Sequence, residues 1–521
     1  MRITNKIMQR NNLSNINTNK MYQDKLSTQM ATQKKVTRPS DDPVVAIRAL
    51  RLRGNVTEVT QYYSKNIPDA ESWLSVTEDA LNNLTQVVTS MISQCTKGSN
   101  GDLKTTDREI ILEQLQALGE EIYSTGDADY AGRYIFTGYR TDTSLSFTEE
   151  KTFNYTITEQ LDNSAIKQLT KVNTGDVLNI NGNNYNSTMA GVNETQVSSV
   201  DVYRFRLSYE DCKEGAIPSI SFGKSVDPTT GAVSYATTWS GADITQMHSY
   251  EDPYSEIAKD ASADKIIYVP ETGEILLGKN RYETLMGVED DVATATNEAE
   301  IAITYQKEHW VKGDLRPEHY FYCKSRDDGG NEINYNESYL RGDVEKQVIE
   351  YDVGFNQTIR VNSTADECFN HGIGREVDDL VDAMQNVLDL EKVQTRLTKL
   401  QETATGADAE TLKTQQDAVS KALTLAKDKC QRLFEGAITA FQGYLDSANL
   451  CITNCGTRSS KLELIKNRMQ NQKTTFETLK SENEDADITE VAIKLNSAEL
   501  TYEAALMATG KVMQTSLLNF I

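Results

Sequence analysis

Residues 487–521 read DITEVAIKLNSAELTYEAALMATGKVMQTSLLNFI. Ile488, Val491, Leu495, Ala498, Tyr502, Ala505, Thr509, Val512 and Ser516 recur at three- and four-residue steps over four heptads. That period puts them along one side of an α-helix. A stripe this long cannot be buried by the helix that carries it, so it requires a partner helix. Asp487 followed by Glu490 has capping-box spacing, which starts the helix after the acidic break Ser481–Ala486. Partners are available inside the chain, in its N-terminal helices, or outside it, in other subunits. This geometry predicts a subunit of an assembly rather than a free enzyme.

Working back from that helix, Leu462, Ile465, Met469, Phe476 and Leu479 form another helical stripe. Leu380, Val381, Met384, Val387 and Leu388 form an earlier one, and Gly406 interrupts the pattern between them. The opposite end of the chain mirrors this arrangement. Residues 1–36 carry a thin stripe of Ile3, Ile7, Ile16, Leu26 and Met30 among six asparagines, Asn5, Asn11, Asn12, Asn15, Asn17 and Asn19. Asparagine is a weak helix former, so this arm is expected to be disordered alone and helical once a partner covers it.

Ser40-Asp41-Asp42-Pro43 is a helix start, with proline pre-set at the first helical position and Asp42 able to accept from the orphan amides. Val44, Ile47, Leu50, Leu52, Val56, Val59 and Tyr63 follow, and Pro68 is expected to kink or restart the helix. Trp73, Val76, Ala80, Leu84, Val87 and Met91 continue to a turn at Gly98–Gly101, and Ile111, Leu115, Leu118 and Ile122 mark one more helix. Arg133–Gly138 reads as a short aromatic strand.

From residue 141 to about 365 the texture changes to strand-like alternation, as in Phe153–Thr158 and Val202–Leu207. Further strands are expected at 266–269, 275–277, 301–305, 319–323, 348–353 and 357–361. The predicted fold is α+β and multidomain: N- and C-terminal helices pair into an α-helical, coiled-coil-like core, with a β-rich domain inserted between them. The expected domains are 1–40 with 485–521 as a terminal helical pair, 41–140 with 366–484 as a helical bundle plus short hairpin, and 141–365 as a variable outer domain.

Composition narrows the function. Lys and Arg number 53 against 77 Asp and Glu, a net charge of -24, which repels phosphate backbones and anionic membranes. No stretch of 18 apolar residues exists to span a bilayer, and the start lacks the apolar core of a cleavable secretory signal. Seven dispersed cysteines do not form a disulfide framework. Cys451 and Cys455 share a helix face, but no Cys or His follows to complete a zinc site, so both read as packing residues. His248, His309, His319 and His371 stand in four separate contexts, and no H-E-x-x-H, phosphate loop or nucleophile elbow occurs. Asp327–Glu332 misses the calcium-loop spacing and reads as a hairpin turn. The sequence therefore predicts no catalytic residue, cofactor or metal site.

Several segments resemble the flagellin superfamily, and within it the hook–filament junction (hook-associated protein 3) family of bacterial flagella. They are Met1–Asn5, Lys35–Pro43 with its P-S-D-D-P block, and Gly132–Gly138, which is similar to G-x-Y-[LI]-F-[SA]-G with Thr137 in place of Ser or Ala. Gly342-Asp343, Ile359–Asn362, Phe369, Asp485–Glu490, Tyr502–Leu506 and Ser516–Phe520 complete the resemblance. It covers roughly residues 1–140 and 335–521, while the centre carries no signature.

The resemblance implies helical ends lining a tube, with the middle pointing outward. It also implies export through the flagellar type III pathway to an extracellular site without a cleaved signal. The implied partners are copies of the chain in a ring, the neighbouring hook-associated junction protein, flagellin, and the export apparatus with a chaperone. Ile3, Ile7, Leu495, Tyr502, Leu506, Leu517 and Phe520 are the expected subunit contacts. Asp41, Asp42 and Pro43 are expected to shape the bend between helical layers. Rival readings are flagellin itself, an adhesive or glycan-binding module in the centre, and an enzyme in the same insert.

Overall fold

The computed structural model describes residues 5–101, 103–227, 229–288, 299–326, 330–341 and 347–518. Two compact units divide the chain: Met1–Glu71 with Tyr351–Ile359 and Ser460–Ile521, and Ser72–Glu350 with Arg360–Ser459. The long helices are α1 (Asn5–Thr32), α2 (Pro43–Gln61), α3 (Ile67–Gly98) and α4 (Thr105–Gly126) before the centre. The centre holds the short α5 (Pro253–Ile257), α6 (Lys279–Met286) and α7 (Ala365–Cys368). After it come α8 (Gly372–Gln401), α9 (Ala407–Glu484) and α10 (Ile488–Leu518). The chain is α+β, with its helices toward the two ends and its sheets between.

In the first unit α1 and α10 run antiparallel. The Ala486 amide donates to Gln33 O (3.0 Å), the Lys35 amide to Glu484 O (2.7 Å), and Gln23 Nε2 to Glu499 Oε1 (3.4 Å). Leu26, Val491 and Ala498 are buried in the seam, with Ala486 and Leu495 packed against them. The rest of the α1 seam is Gln9, Asn12, Ile16, Asn19 and Gln23, each half-buried. Four of those five side chains are polar, so this helix pair buries little apolar surface and gains correspondingly little from it.

As expected, a new helical segment starts at Pro68: α3 begins at Ile67, one residue before it. One π-turn, Tyr62–Asn66, joins α2 to α3, and the Ile67 amide reaches back to Tyr62 O. The wider turn relieves the clash between the proline ring and the preceding carbonyls. Beside it lies a hairpin of β14 (Glu350–Gly354) and β15 (Gln357–Arg360), turned by Asn356 at φ 50°. The Tyr351 hydroxyl donates to Asp69 (2.5 Å), and Asn66 Nδ2 donates to Asp352 O (2.7 Å).

In the second unit the apolar faces of α3, α4, α8 and α9 are buried, with Trp73, Leu81, Met91, Leu115, Val387 and Phe434 among the most enclosed side chains. The Arg108 guanidinium pairs with Glu391 (2.7 Å), which also receives Lys427 (3.0 Å) and the Thr105 hydroxyl (2.7 Å). All seven cysteines are free and buried. The Cys451 thiol donates to Glu367 O (3.1 Å) and the Cys455 thiol to Leu74 O (3.4 Å), in keeping with packing roles.

Thirteen further strands lie in this unit, in chain order. A small ribbon pairs β1 (Asp129–Tyr130) with β2 (Arg133–Tyr134). Then come β3 (Lys151–Leu161), β4 (Lys167–Asn173), β5 (Ser198–Arg206), β6 (Ser219–Val226), β7 (Val233–Trp239), β8 (Ile244–Gln246), β9 (Ile266–Val269), β10 (Glu274–Leu277), β11 (Ile301–Trp310), β12 (Tyr322–Arg326) and β13 (Glu332–Tyr335). One sheet has the order β4-β5-β10-β9-β8, the other β13-β12-β3-β11-β6-β7.

The expected strand at 266–269 is present with those ends, and those around 153–158, 202–207, 275–277, 301–305, 348–353 and 357–361 are present with shifted ends. Three other expectations need correction. Arg133–Gly138 is a strand only at Arg133–Tyr134, because Gly138 at φ 62° turns the chain. The strand expected at 319–323 starts at Tyr322, because Pro317–His319 forms a 3-10 turn. The sequence reading missed β4, β6, β7 and β8, whose Lys, Ser and Thr residues weaken the apolar alternation, and the four-residue β13, which carries Glu and Asn. The Asp327–Gly329 part of the expected hairpin turn lies outside the described residues.

Gly273 marks the closest approach in the second unit. It sits at φ 61° in the β9–β10 turn, and a Cβ there would lie 2.0 Å from Tyr209 O, a backbone atom that cannot swing away. The Leu207 amide donates to Gly273 O (2.9 Å) across the same contact. Gly273→Ala is expected to cost about 2–3 kcal/mol, from left-handed backbone strain plus the clash. Chemical denaturation of the full chain reads this as a lower midpoint for the transition of the second unit.

Candidate assembly surface

The P-S-D-D-P block forms the link between α1 and α2. Asp41 Oδ2 accepts from the Arg38 amide (3.1 Å) and the Thr37 hydroxyl (3.4 Å), closing a turn. Asp42 caps α2 by accepting from the amides of Val44 (3.0 Å) and Val45 (3.1 Å), and Pro43 takes the first helical position. At the other end of the unit Asp487 caps α10, accepting from Thr489 (2.9 Å) and Glu490 (3.2 Å).

The break between α9 and α10 is clamped by charge. The Glu484 carboxylate, only 5% exposed, receives Arg53 of α2 through two bonds of 2.6 and 2.7 Å. Lys34 lies 3.6 Å from Glu484 and pairs with Asp485. The Arg53 hydrogen bonds outweigh burial and hold the Glu484 carboxyl below its usual range. A depressed carboxyl stabilises the fold at pH values above its unfolded pKa of about 4.3, and that contribution is lost as pH falls through the lower folded pKa. Glu484→Gln is therefore expected to lower the urea midpoint at pH 7. The gap from the parent chain should close once the parent's carboxyl is protonated.

The predicted contact residues separate into distinct environments. Leu495 packs inside the chain's own α1–α10 seam and Tyr502 is half-buried, whereas Ile7 and Leu506 are exposed. Ile3 and Phe520 lie outside the described residues, as does the side chain of Leu517.

A second apolar line on α10 escaped the sequence reading: Ile493, Leu500 and Met507, spaced seven apart and 65%, 68% and 66% exposed. Their spacing repeats once per heptad, a signal masked by the longer stripe beside it. On α2 the stripe residues Val44, Ile47 and Leu50 also face solvent, as do Leu13 and Met21 on α1. The α1–α10 pair thus buries one narrow seam, and apolar lines on α1, α2 and α10 stay uncovered in a single chain.

In the second unit the two ends of the resemblance meet. Ile135 and Phe136 are buried, and Phe136 meets Phe369 edge-on at 4.8 Å. The Ala365 amide donates to Phe136 O (2.8 Å). Fully buried Asn362 accepts from the Ile349 amide (2.9 Å), donates to Gln347 O (2.7 Å), and presents its carbonyl to Arg458 (2.8 Å). These motifs hold chain segments together. Burial pushes His319 and His371 down to about 4, so both are neutral packing residues at pH 7.

Residues 3–141 match the family described as the bacterial flagellin N-terminal helical region. Flagellar hook-associated protein 3 of Salmonella typhimurium is 32% identical over 143 residues, 27% of this chain and 45% of that protein. The Escherichia coli protein of the same name is 32% identical over 152 residues, 29% of this chain and 47% of that protein. The chain thus spans about half the length of the curated relatives it matches. A solved structure of a putative flagellar hook-associated protein from Vibrio parahaemolyticus aligns over 85% of this chain and all of that one, at 14% identity and a TM-score of 0.32. Over its N-terminal part the chain is thus similar to the bacterial flagellin N-terminal helical region and, along about half of their length, to flagellar hook-associated protein 3 of these two bacteria.

Proposed function

We propose that the chain is a structural, non-enzymatic subunit of the bacterial flagellum, set as an adaptor at the junction of hook and filament. The observation that carries this reading is the uncovered apolar line Ile493–Leu500–Met507 on α10, beside a helix pair in which the α1 side of the seam is mostly polar. Such a pair gains little by folding alone and more by burying its outer lines against other helices. The occupant of those lines is a neighbouring copy of the same chain in a ring. The hook-associated junction protein lies on one side of the ring and flagellin on the other.

On this reading Ile7, Tyr502, Leu506 and the terminal residues contribute contacts between subunits, and Asp41, Asp42 and Pro43 set the bend between helical layers. The chain reaches its place unfolded, through the flagellar export channel and with a chaperone's help, and works outside the cell. Immunogold labelling of intact flagella tests the placement. A single narrow band between hook and filament is the expected result. Label along the whole filament would make the chain a flagellin and overturn the adaptor reading.

A further inference from the structure

Three connections meet at one end of the five-stranded sheet. Strands β8 and β9 are parallel, with Gln246 opposite Tyr268 and the Met247 amide donating to Tyr268 O (2.9 Å). Parallel strands leave a sheet at the same end, so His248, two residues past β8, arrives beside Glu271, two residues past β9. The third connection, between β5 and β6, is tied to the same turn. The Asp211 amide donates to Glu271 O (3.0 Å) and the Cys212 amide to Pro270 O (2.9 Å). The Gly215 amide then donates to Gln246 Oε1 (3.1 Å), which brings Glu214 over the end of β8.

One ligand atom each from Glu214, His248 and Glu271 lies within 4.8 Å of the others. His248 Nδ1 is in contact with Glu271 Oε1, while Glu271 Oε2 is a buried oxygen that receives no hydrogen bond. The imidazole is stacked on Tyr250 (5.1 Å, 7° between planes), which holds the ring in orientation. Glu251 is occupied by the His248 amide (2.8 Å), and Lys213 is drawn away to Glu308 (2.7 Å). Among the described residues, no Lys or Arg pairs with Glu214 or Glu271.

We propose that Glu214, His248 and Glu271 bind one borderline divalent cation, Zn2+ in the first instance. One imidazole and two carboxylates without sulfur suit such an ion, and two carboxylates balance its charge. Three protein ligands leave a tetrahedral position for water, whereas calcium requires six or more oxygens. The imidazole must be neutral to ligate, so metal binding weakens as pH falls. Bound metal would cross-link the β5–β6, β8–α5 and β9–β10 connections. The site was invisible in the sequence because 57 residues separate the outermost ligands and only the strand order unites them. This proposal is independent of the junction reading.

The test is calorimetric titration of metal-stripped, reduced full-length chain with ZnCl2, alongside His248→Ala, Glu271→Gln and the control His309→Ala. The expected result is one saturable site per chain with a raised thermal midpoint. Binding should weaken at least tenfold in the first two variants and stay unchanged in the third. Absence of saturable binding in the parent chain would overturn the proposal. Binding retained by both His248→Ala and Glu271→Gln would overturn it as well, placing the metal on other groups such as the cysteines.

Discussion

A chain carrying Ile493→Asp, Leu500→Asp and Met507→Asp is expected to fold, to be exported, and to leave its hooks without filaments. All three side chains face solvent in a single chain, so the α1–α10 seam of Leu26, Val491 and Ala498 is untouched. Helical content by circular dichroism should match the parent. In the assembly each of these residues would lose apolar burial of about 1.5–3 kcal/mol, and each new carboxylate would be stranded without a partner. A loss beyond about 4 kcal/mol lowers association about a thousandfold. The readout in a strain lacking the native gene is twofold: variant chain present in the culture medium, and filaments absent from the hooks. Restored filaments would show that this face of α10 is not an assembly surface.

The second large effect belongs to the charge network between the five-stranded sheet and α8. Arg204 of β5 is 2% exposed and donates to Glu274 of β10 (2.6 Å) and to both oxygens of Asp379 on α8 (3.1 and 2.8 Å). Arg206 pairs with the same Asp379. Burial alone would raise the Asp379 carboxyl, but the two guanidinium groups outweigh it and hold the carboxyl well below the usual range.

Asp379→Ala leaves Arg204 with Glu274 as its remaining partner and is expected to cost about 3–5 kcal/mol, read as a loss of denaturation midpoint for the second unit. Replacing the buried charges together, as Arg204→Met, Asp379→Leu and Glu274→Gln, should recover part of that loss, because Glu274 would otherwise lose the guanidinium that pairs with it. The sign with pH follows from the depression. The network contributes fully above the unfolded aspartate pKa of about 3.9 and fades only as pH falls through the lower folded value. A single variant with an unchanged midpoint would show that the network is incidental to stability.

Local rules were legible where they act alone. Asp42 before Pro43 caps a helix, Gly406 at φ 66° separates α8 from α9, and the acidic break at 481–486 ends one helix before Asp487 begins another. Strands with alternating apolar residues, such as β3 and β5, were readable for the same reason. What escaped depends on partners far away in sequence. Lys224 of β6 is buried because Glu300 receives it (2.9 and 2.8 Å), so a lysine-bearing strand gave no apolar signal. The continuity of α9 over 78 residues was not read from the sequence.

The candidate surface was half legible. The dominant stripe on α10 was read correctly as needing a partner, but much of it meets α1 of the same chain. The line left uncovered is the weaker one beside it. Sequence periodicity shows that a face is apolar. It does not show whether the covering helix comes from the same molecule, because both solutions obey the same spacing.

The account's central claim, that filament growth depends on this chain as an adaptor, is tested most directly by deleting its gene and examining cells and spent medium together. Bare hooks, with unpolymerised flagellin accumulating in the medium, are the predicted result. Intact filaments on the deleted strain, whether shorter or otherwise altered, would contradict it and reduce the chain to an accessory filament subunit.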